Sequence, residues 1–321
     1  MSVIMEPATT PDARSPAAPT GDAPSGALGT AGRPPSDAAS GLASGRPRGA
    51  SLRGPSRLAG RVLLAVALPV LVVAAWQLAG TGGSLFGGVL PTPDRVWAAW
   101  YTWAFGAQGL GLNPYSGTWL DNLLYSAERV AKGFGCAILI GVPAGIAIGW
   151  NRIAAGALDP TIQILRPIPI TAWLPFSIAV FGIGPGGAIF LIALGAFYPI
   201  VVNTSQGARD VERMLIRAAL MMGAGPFTIL RRVVLPAALP SIFTGLRIGL
   251  GIGWTAVIVA EMVAVKSGLG YVLWDAYYVG RMDVVIADMI TIGLLGFLSD
   301  RLVLLAERWA LTWRRLQSHH S

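Results

Sequence analysis

Residues able to do covalent chemistry are scarce in this sequence. Its 321 positions include one cysteine, Cys136, and two histidines, His319 and His320, next to the final Ser321. A lone thiol inside an apolar run excludes an internal disulfide framework and a cysteine-rich metal site. With no histidine elsewhere, no imidazole is available as a general base or as part of a metal cluster. No Gly-x-x-x-x-Gly-Lys-Ser/Thr loop for nucleotide phosphates occurs. The sequence therefore predicts no catalytic residue and no metal site. What remains is the chemistry of charges set among apolar residues, which is pairing and ion contact: Arg247 and Asp300, Arg166 beside Pro167 and Pro169, Arg129 with Lys132, and Glu261.

Arg247 lies about 10 Å along a helix from Pro240 at roughly 1.5 Å per residue. An arginine so deep in an apolar run is costly unless it is paired or faces water. Asp300 sits at a similar depth in the next run, which returns antiparallel, so a structural ion pair is expected, with direct anion contact by Arg247 as the alternative. Arg129 and Lys132 could form a positive vestibule, but snorkelling, or pairing with Glu128 or Asp121, is the expected account of them. For Glu261 the expected partner is Lys266.

The elements that position these groups follow from composition. Hydrophobic residues make up 54% of the chain and charged ones 12%, mean hydropathy is +0.60, and the net charge is +8 with a pI near 10.2. Soluble domains carry about 25% charged residues, so lipid is the expected solvent. The basic residues fall in the tails and between apolar runs, which fits membrane orientation and argues against a nucleic-acid patch. Residues 1–60, rich in Pro, Ala, Gly and Ser, are expected to be a disordered tail. Six apolar stretches follow, at residues 62–78, 125–150, 161–183, 187–203, 240–265 and 284–306, which predicts an all-α, multi-pass membrane protein. Arginines concentrate before residue 62, between residues 209 and 232 and after residue 300, so both termini are expected in the cytosol. The aromatic-rich stretch 81–118 then lies outside, with Trp97, Trp100, Tyr101 and Trp103, followed by Trp119, as an interfacial belt. Glycine pairs such as Gly141 with Gly145, and Gly249 with Gly253, have the spacing that lets helices approach closely.

The stretch between the fourth and fifth apolar runs is not polar. Val211, Met214, Leu215, Ala218 and Met222 fall on one helical face, Gly223 can end that helix, and Gly225-Pro226 enforces a turn before a second. A methionine-bearing face on a short helix outside the lipid should insert into a groove, on this chain or on a partner.

These residues carry a resemblance. Arg217-Ala218-Ala219, three residues, Gly223, nine residues, then Val233-Val234-Leu235-Pro236 resembles the EAA loop of ABC-importer permeases, with Arg217 in the family's Glu position. Ala218, Ala219, Gly223, Leu235 and Pro236 match at the family spacing. The stretch 90–313 is similar to the nitrate/sulfonate/taurine branch. It carries Leu90-Pro91-Thr92-Pro93, Ser126-x-x-Arg129 followed by Gly133-Phe134, and Asp159-Pro160. Arg166-Pro167-Ile168-Pro169, Leu174-Pro175, Phe181-Gly182-Ile183-Gly184, Glu261-Met262 and Gly268-Leu269-Gly270 then follow in order.

The resemblance implies a type I importer permease in a bacterial inner membrane, with a permease core at 119–306, a coupling loop at 209–236 and a cytosolic tail at 307–321. Two copies would pair around a pathway for a small anion such as nitrate, a sulfonate or taurine. Two ATPases would bind the ATP and dock on the coupling loop, and an extracytoplasmic binding protein would deliver the solute. This chain itself would bind no cofactor. A permease for bicarbonate or for a pyrimidine or thiamine precursor is the nearest alternative. A self-contained secondary transporter is a further one, although the broken third run has no counterpart in the second half. The prolines of that run cannot sit in a regular helix, and Arg166, Pro167, Pro169, Thr171 and Pro175 are candidates to line the pathway. Equally, the segment up to Ile170 could be a kinked entry at the cytosolic interface.

Overall fold

The computed structural model describes residues 55–81, 89–107 and 114–311, with side chains from Ala67 onward. Of the two compact units, Met1–Pro55 and Ser56–Ser321, the described residues lie almost wholly in the second. The expected disordered tail as far as residue 54, and His319 with His320, lie outside them. The described residues are helical, with no strand among them. In order they form α1 (Pro55–Thr81), α2 (Pro93–Phe105), α3 (Trp119–Trp150), α4 (Arg152–Leu165), a 3₁₀ turn (Ile170–Trp173), α5 (Leu174–Phe181) and α6 (Pro185–Arg209). They continue with α7 (Arg213–Met221), α8 (Pro226–Ile229), a π-helical turn (Leu230–Val234), α9 (Leu235–Ala264), α10 (Leu269–Tyr278) and α11 (Met282–Ala310).

Four helical stretches are long and apolar enough to cross a membrane: α3, α6, the continuous run Pro226–Ala264, and α11. The third expected span is not one helix. It is a pair, Arg152–Leu165 and Ile170–Phe181, bent by 93°, because Pro167 and Pro169 supply no N–H to carry the helix on. α1 already covers the last residues assigned to the tail, and its described side chains, Ala67–Thr81, form a shorter apolar helix. Leu139, Ile140, Leu294, Phe297, Leu298 and Leu302 are exposed in a broad apolar surface, as lipid requires and water would not tolerate.

The centre is α6, packed along its length between α3 and α9. Small residues set the distance. A Cβ on Gly133 would come within 2.6 Å of Ile192, one on Gly141 within 3.0 Å of Ile200, one on Gly145 within 2.6 Å of Thr204, and one on Gly149 within 2.5 Å of Ala208, so α3 and α6 approach closely at intervals of about one turn or two. Gly245 and Gly249 bring α9 equally near the other side of α6.

The aromatic segment is only partly a belt. Trp97 and Tyr101 on α2 are exposed, but Trp103 is fully buried against Tyr115, Leu269 and Val284. Trp119 donates from its indole nitrogen to Thr291 Oγ1 at 3.3 Å. α2 therefore docks on α10 and α11 through one face and leaves the other outward. In the turn before α3, the Tyr115 hydroxyl donates to Asp275 Oδ2 at 2.7 Å. Burial, with that carboxylate beside it, pushes the phenol well above its usual pKa, so it stays a donor.

Candidate functional site

Three features stand out at different levels of the bundle. The first is α7–α8. The helix begins at Arg213, so Val211 precedes it and is buried with Ala208, Ala219, Ile229 and Val234 beneath. It ends in a Schellman turn, with Gly223 N–H donating to Leu220 O at 2.9 Å and Ala224 N–H to Ala219 O at 3.0 Å. Gly223 holds φ at +78°, where glycine is favoured. The expected single apolar face is thus divided: α7 seats itself through Ile216 and Ala219. Met214, Leu215 and Met222 point away, as do Met221 and Phe227, with Met214 71%, Met222 80% and Phe227 74% exposed. Arg217 is exposed beside them and Ala218 half-buried. Leu235 and Pro236 open α9 just after the π turn, where Leu235 N–H reaches back five residues to Leu230 O. In a regular helix the Pro236 ring would meet the carbonyl of Arg232, and the wider turn relieves that contact.

The second feature is a cavity of about 360 Å³ where the broken span meets α6 and α9. Arg166, Pro167 and Pro169 line it, together with Ile170, Tyr198, Asn203, Ile248 and Ile252. Thr171 and Pro175 are exposed but not among its lining. Elsewhere on α9, Arg247 and Asp300 meet in a two-pronged pair, Nε to Oδ1 at 2.8 Å and Nη2 to Oδ2 at 3.0 Å. Trp254 Nε1 donates to Ser299 Oγ at 2.9 Å, a second tie between α9 and α11. Arg247→Ala is expected to lower the melting temperature in detergent by a few degrees, about 1 kcal/mol for a half-exposed pair. The exchange Arg247→Asp with Asp300→Arg is expected to restore part of it. Unchanged melting with weakened anion transport would move Arg247 from a tie to the pathway.

The third feature was not foreseen. Glu261 is fully buried and accepts from Arg129 Nη1, from Ser126 Oγ at 2.7 Å and from the Gly270 N–H at 3.0 Å. Arg129 also donates to Ser267 O and Oγ, while Asn122 Oδ1 accepts from the Gly268 N–H at 2.9 Å. Leu269 N–H donates to Ser126 Oγ at 2.9 Å. α3 thereby grips the tight turn between α9 and α10. Glu261 pairs with Arg129 and not with the expected Lys266, and Arg129 neither snorkels nor pairs with Glu128 or Asp121. Only Lys132 takes the neighbouring acid, Glu128, one helical turn back. The signal was in the sequence: Asn122, Ser126 and Arg129 recur at four and three residues, one polar stripe on an apolar helix.

Apolar helices packed around a proline-broken span, with a polar cluster bracing one turn, define a multi-pass helical membrane protein. Residues 137–311 match the family model of the binding-protein-dependent transport system inner membrane component, and the chain belongs to that family, the permeases of ABC transporters. It is 35% identical to the taurine transport system permease protein TauC of Escherichia coli, over 80% of this chain and 91% of that one. The nitrate import permease protein NrtB of Synechocystis is 36% identical over 76% and 86%. The bicarbonate transport system permease protein CmpB of Synechococcus elongatus is 42% identical over 58% and 67%. Among solved structures, a chain of the MetNI methionine ABC transporter in an inward-facing conformation aligns with a TM-score of 0.54 at 22% identity, covering 60% of this chain and 95% of that one.

Proposed function

We propose that the chain imports a small anion as one of two identical permeases in an inner membrane. A pair of ATPases docks on α7–α8 and binds the ATP, and an extracytoplasmic binding protein loads the opposite end. The observation that carries this reading is the methionine face of α7, held rigidly by its Schellman turn yet left without a partner among the described residues. Methionine adapts its shape to a groove, and a helix presenting it is suited to transmit a push. Nitrate and bicarbonate in the names of the relatives favour an anion, and the cavity with Arg166 on its wall is where one would cross. Lipid covers the outer apolar faces, and both termini share the cytosolic side with α7.

Reconstitution with the ATPases and binding protein tests the proposal: anion uptake should require ATP, and uptake without ATP would replace it by a secondary transporter. Topology has its own test. In a Cys136→Ala background, Glu212→Cys should react with an impermeant maleimide only from the cytosolic side and Pro114→Cys only from outside, both positions being exposed. Outside labelling at residue 212 would invert the orientation.

A further inference from the structure

Two kinds of contact tie α4 into the bundle. Ala155 and Ile162 share an apolar cluster with Ile148 of α3 and with Tyr198 and Val201 of α6. Such burial holds helices side by side, but it is non-directional and resists sliding of one along the other only weakly. The second contact is polar. Arg209, the last residue of α6, donates from Nη2 to Asp159 Oδ2 at 2.7 Å, with the two side chains 44% and 29% exposed. It is the one side-chain hydrogen bond that α4 makes to another helix among the described residues. The choice of partner is tertiary: Asp210 and Glu212 are far nearer in sequence, yet both are exposed and neither makes an ion pair among the described residues. The pair also stands between two features described above. α7 begins four residues after Arg209, and Arg166, at the edge of the cavity, follows Asp159 by seven residues, about 10 Å at 1.5 Å per residue.

We infer that Asp159 and Arg209 are positioning residues for transport: their ion pair sets the axial register of α4 on α6, so that a displacement of α7 moves the cavity wall in step. The inference rests on the proposal that ATPases dock on α7–α8. Ala208 and Val211 belong to the buried cluster beneath α7, so the end of α6 travels with that helix. Arg209 stands in that moving end, and through Asp159 it carries α4 along. Beyond α4 the chain turns by 93°, which converts a slide of α4 along its own axis into a sideways movement of residues 167–170 against α6 and α9. An exposed ion pair contributes little to stability, so its loss should be felt in transmission and not in folding.

The test uses the full assembly of permease, ATPases and binding protein in nanodiscs, with Ile168→Cys in a Cys136→Ala background as reporter. Ile168 lines the cavity and is 39% exposed. Its rate of reaction with a methanethiosulfonate is measured without nucleotide and after trapping with ATP and vanadate, so no solute is needed. With Asp159 and Arg209 intact, the two rates should differ by about tenfold. Asp159→Asn and Arg209→Gln should each shrink that ratio to about threefold, and Asp159→Arg with Arg209→Asp should recover part of it. ATP hydrolysis should stay within about twofold of the parent and melting within about 2 °C, and Asp210→Asn should leave the ratio unchanged. Should Arg209→Gln fail to assemble, Asp159→Asn decides. Equal rates in the parent, a ratio indifferent to Asp159→Asn, or a loss that the exchange does not repair overturns the inference. Failure of Met214→Asp to release the ATPase, measured separately by co-purification, would overturn docking on α7 instead.

Discussion

Met214→Asp is expected to leave the chain folded and inserted while cutting ATP-driven uptake by about a hundredfold, the cost of burying an unpaired carboxylate at a docking face. Met214 is 71% exposed, so its loss removes little packing within the chain and the effect falls on association. Gly223→Trp reaches the same end differently. A Cβ there meets open space, but φ of +78° strains any side-chain-bearing residue, so the Schellman stop loosens and α8 shifts. Co-purification of the ATPase, read beside uptake, separates these outcomes from misfolding. Uptake that survives both substitutions removes α7 as the coupling element. Arg217→Glu, which restores the family residue at an exposed position, is expected to change uptake by about twofold at most.

Glu261→Ala is expected to cost about 3–5 kcal/mol, because it strands the Arg129 guanidinium in the interior together with the Gly270 N–H. Gly268→Ala attacks the same cluster from the turn. Its φ is +103° and a Cβ would lie 2.4 Å from the Glu261 carboxyl carbon, so the clasp must open to admit one methyl group. Glu261→Gln keeps the acceptor for Ser126 and should fall between the wild type and Glu261→Ala. Thermal unfolding in detergent is the measurement, and a shift under about 2 °C for Glu261→Ala would show the cluster to be incidental.

What could be read from the sequence was local. Gly223 announced the end of α7 because glycine, a following turn and the last periodic residue coincide. Pro167 and Pro169 announced a break because a missing N–H is a property of the residue itself. Its 93° angle could not be read, since prolines say that a helix stops and not where the chain goes next. The membrane character and the meeting of Arg247 with Asp300 followed from burial cost and from antiparallel neighbours. The partner of Glu261 did not, because Arg129 is 132 residues away while Lys266 is close in sequence. Proximity along the chain was the weaker guide there. The division of the α7 face was hidden for a related reason: periodicity gives the phase of a helix but not which apolar flank its neighbours already occupy.

The close packing of α3 on α6 has a mechanical consequence. Close approach at Gly133, Gly145 and Gly149 makes a two-helix beam with little side-chain padding to compress, each helix bracing the other across its own interior proline, Pro143 in α3 and Pro199 in α6, along most of the roughly 48 Å of α3 at 1.5 Å per residue. A stiff beam does not bend along its length; it concentrates strain at its joints. Two joints flank it, the proline break after α4 and the widened turn before Pro236, one at the cavity and the other beside α7. A displacement imposed on α7 should therefore reach the far end of α3 with little attenuation, and angular change should gather at those two breaks.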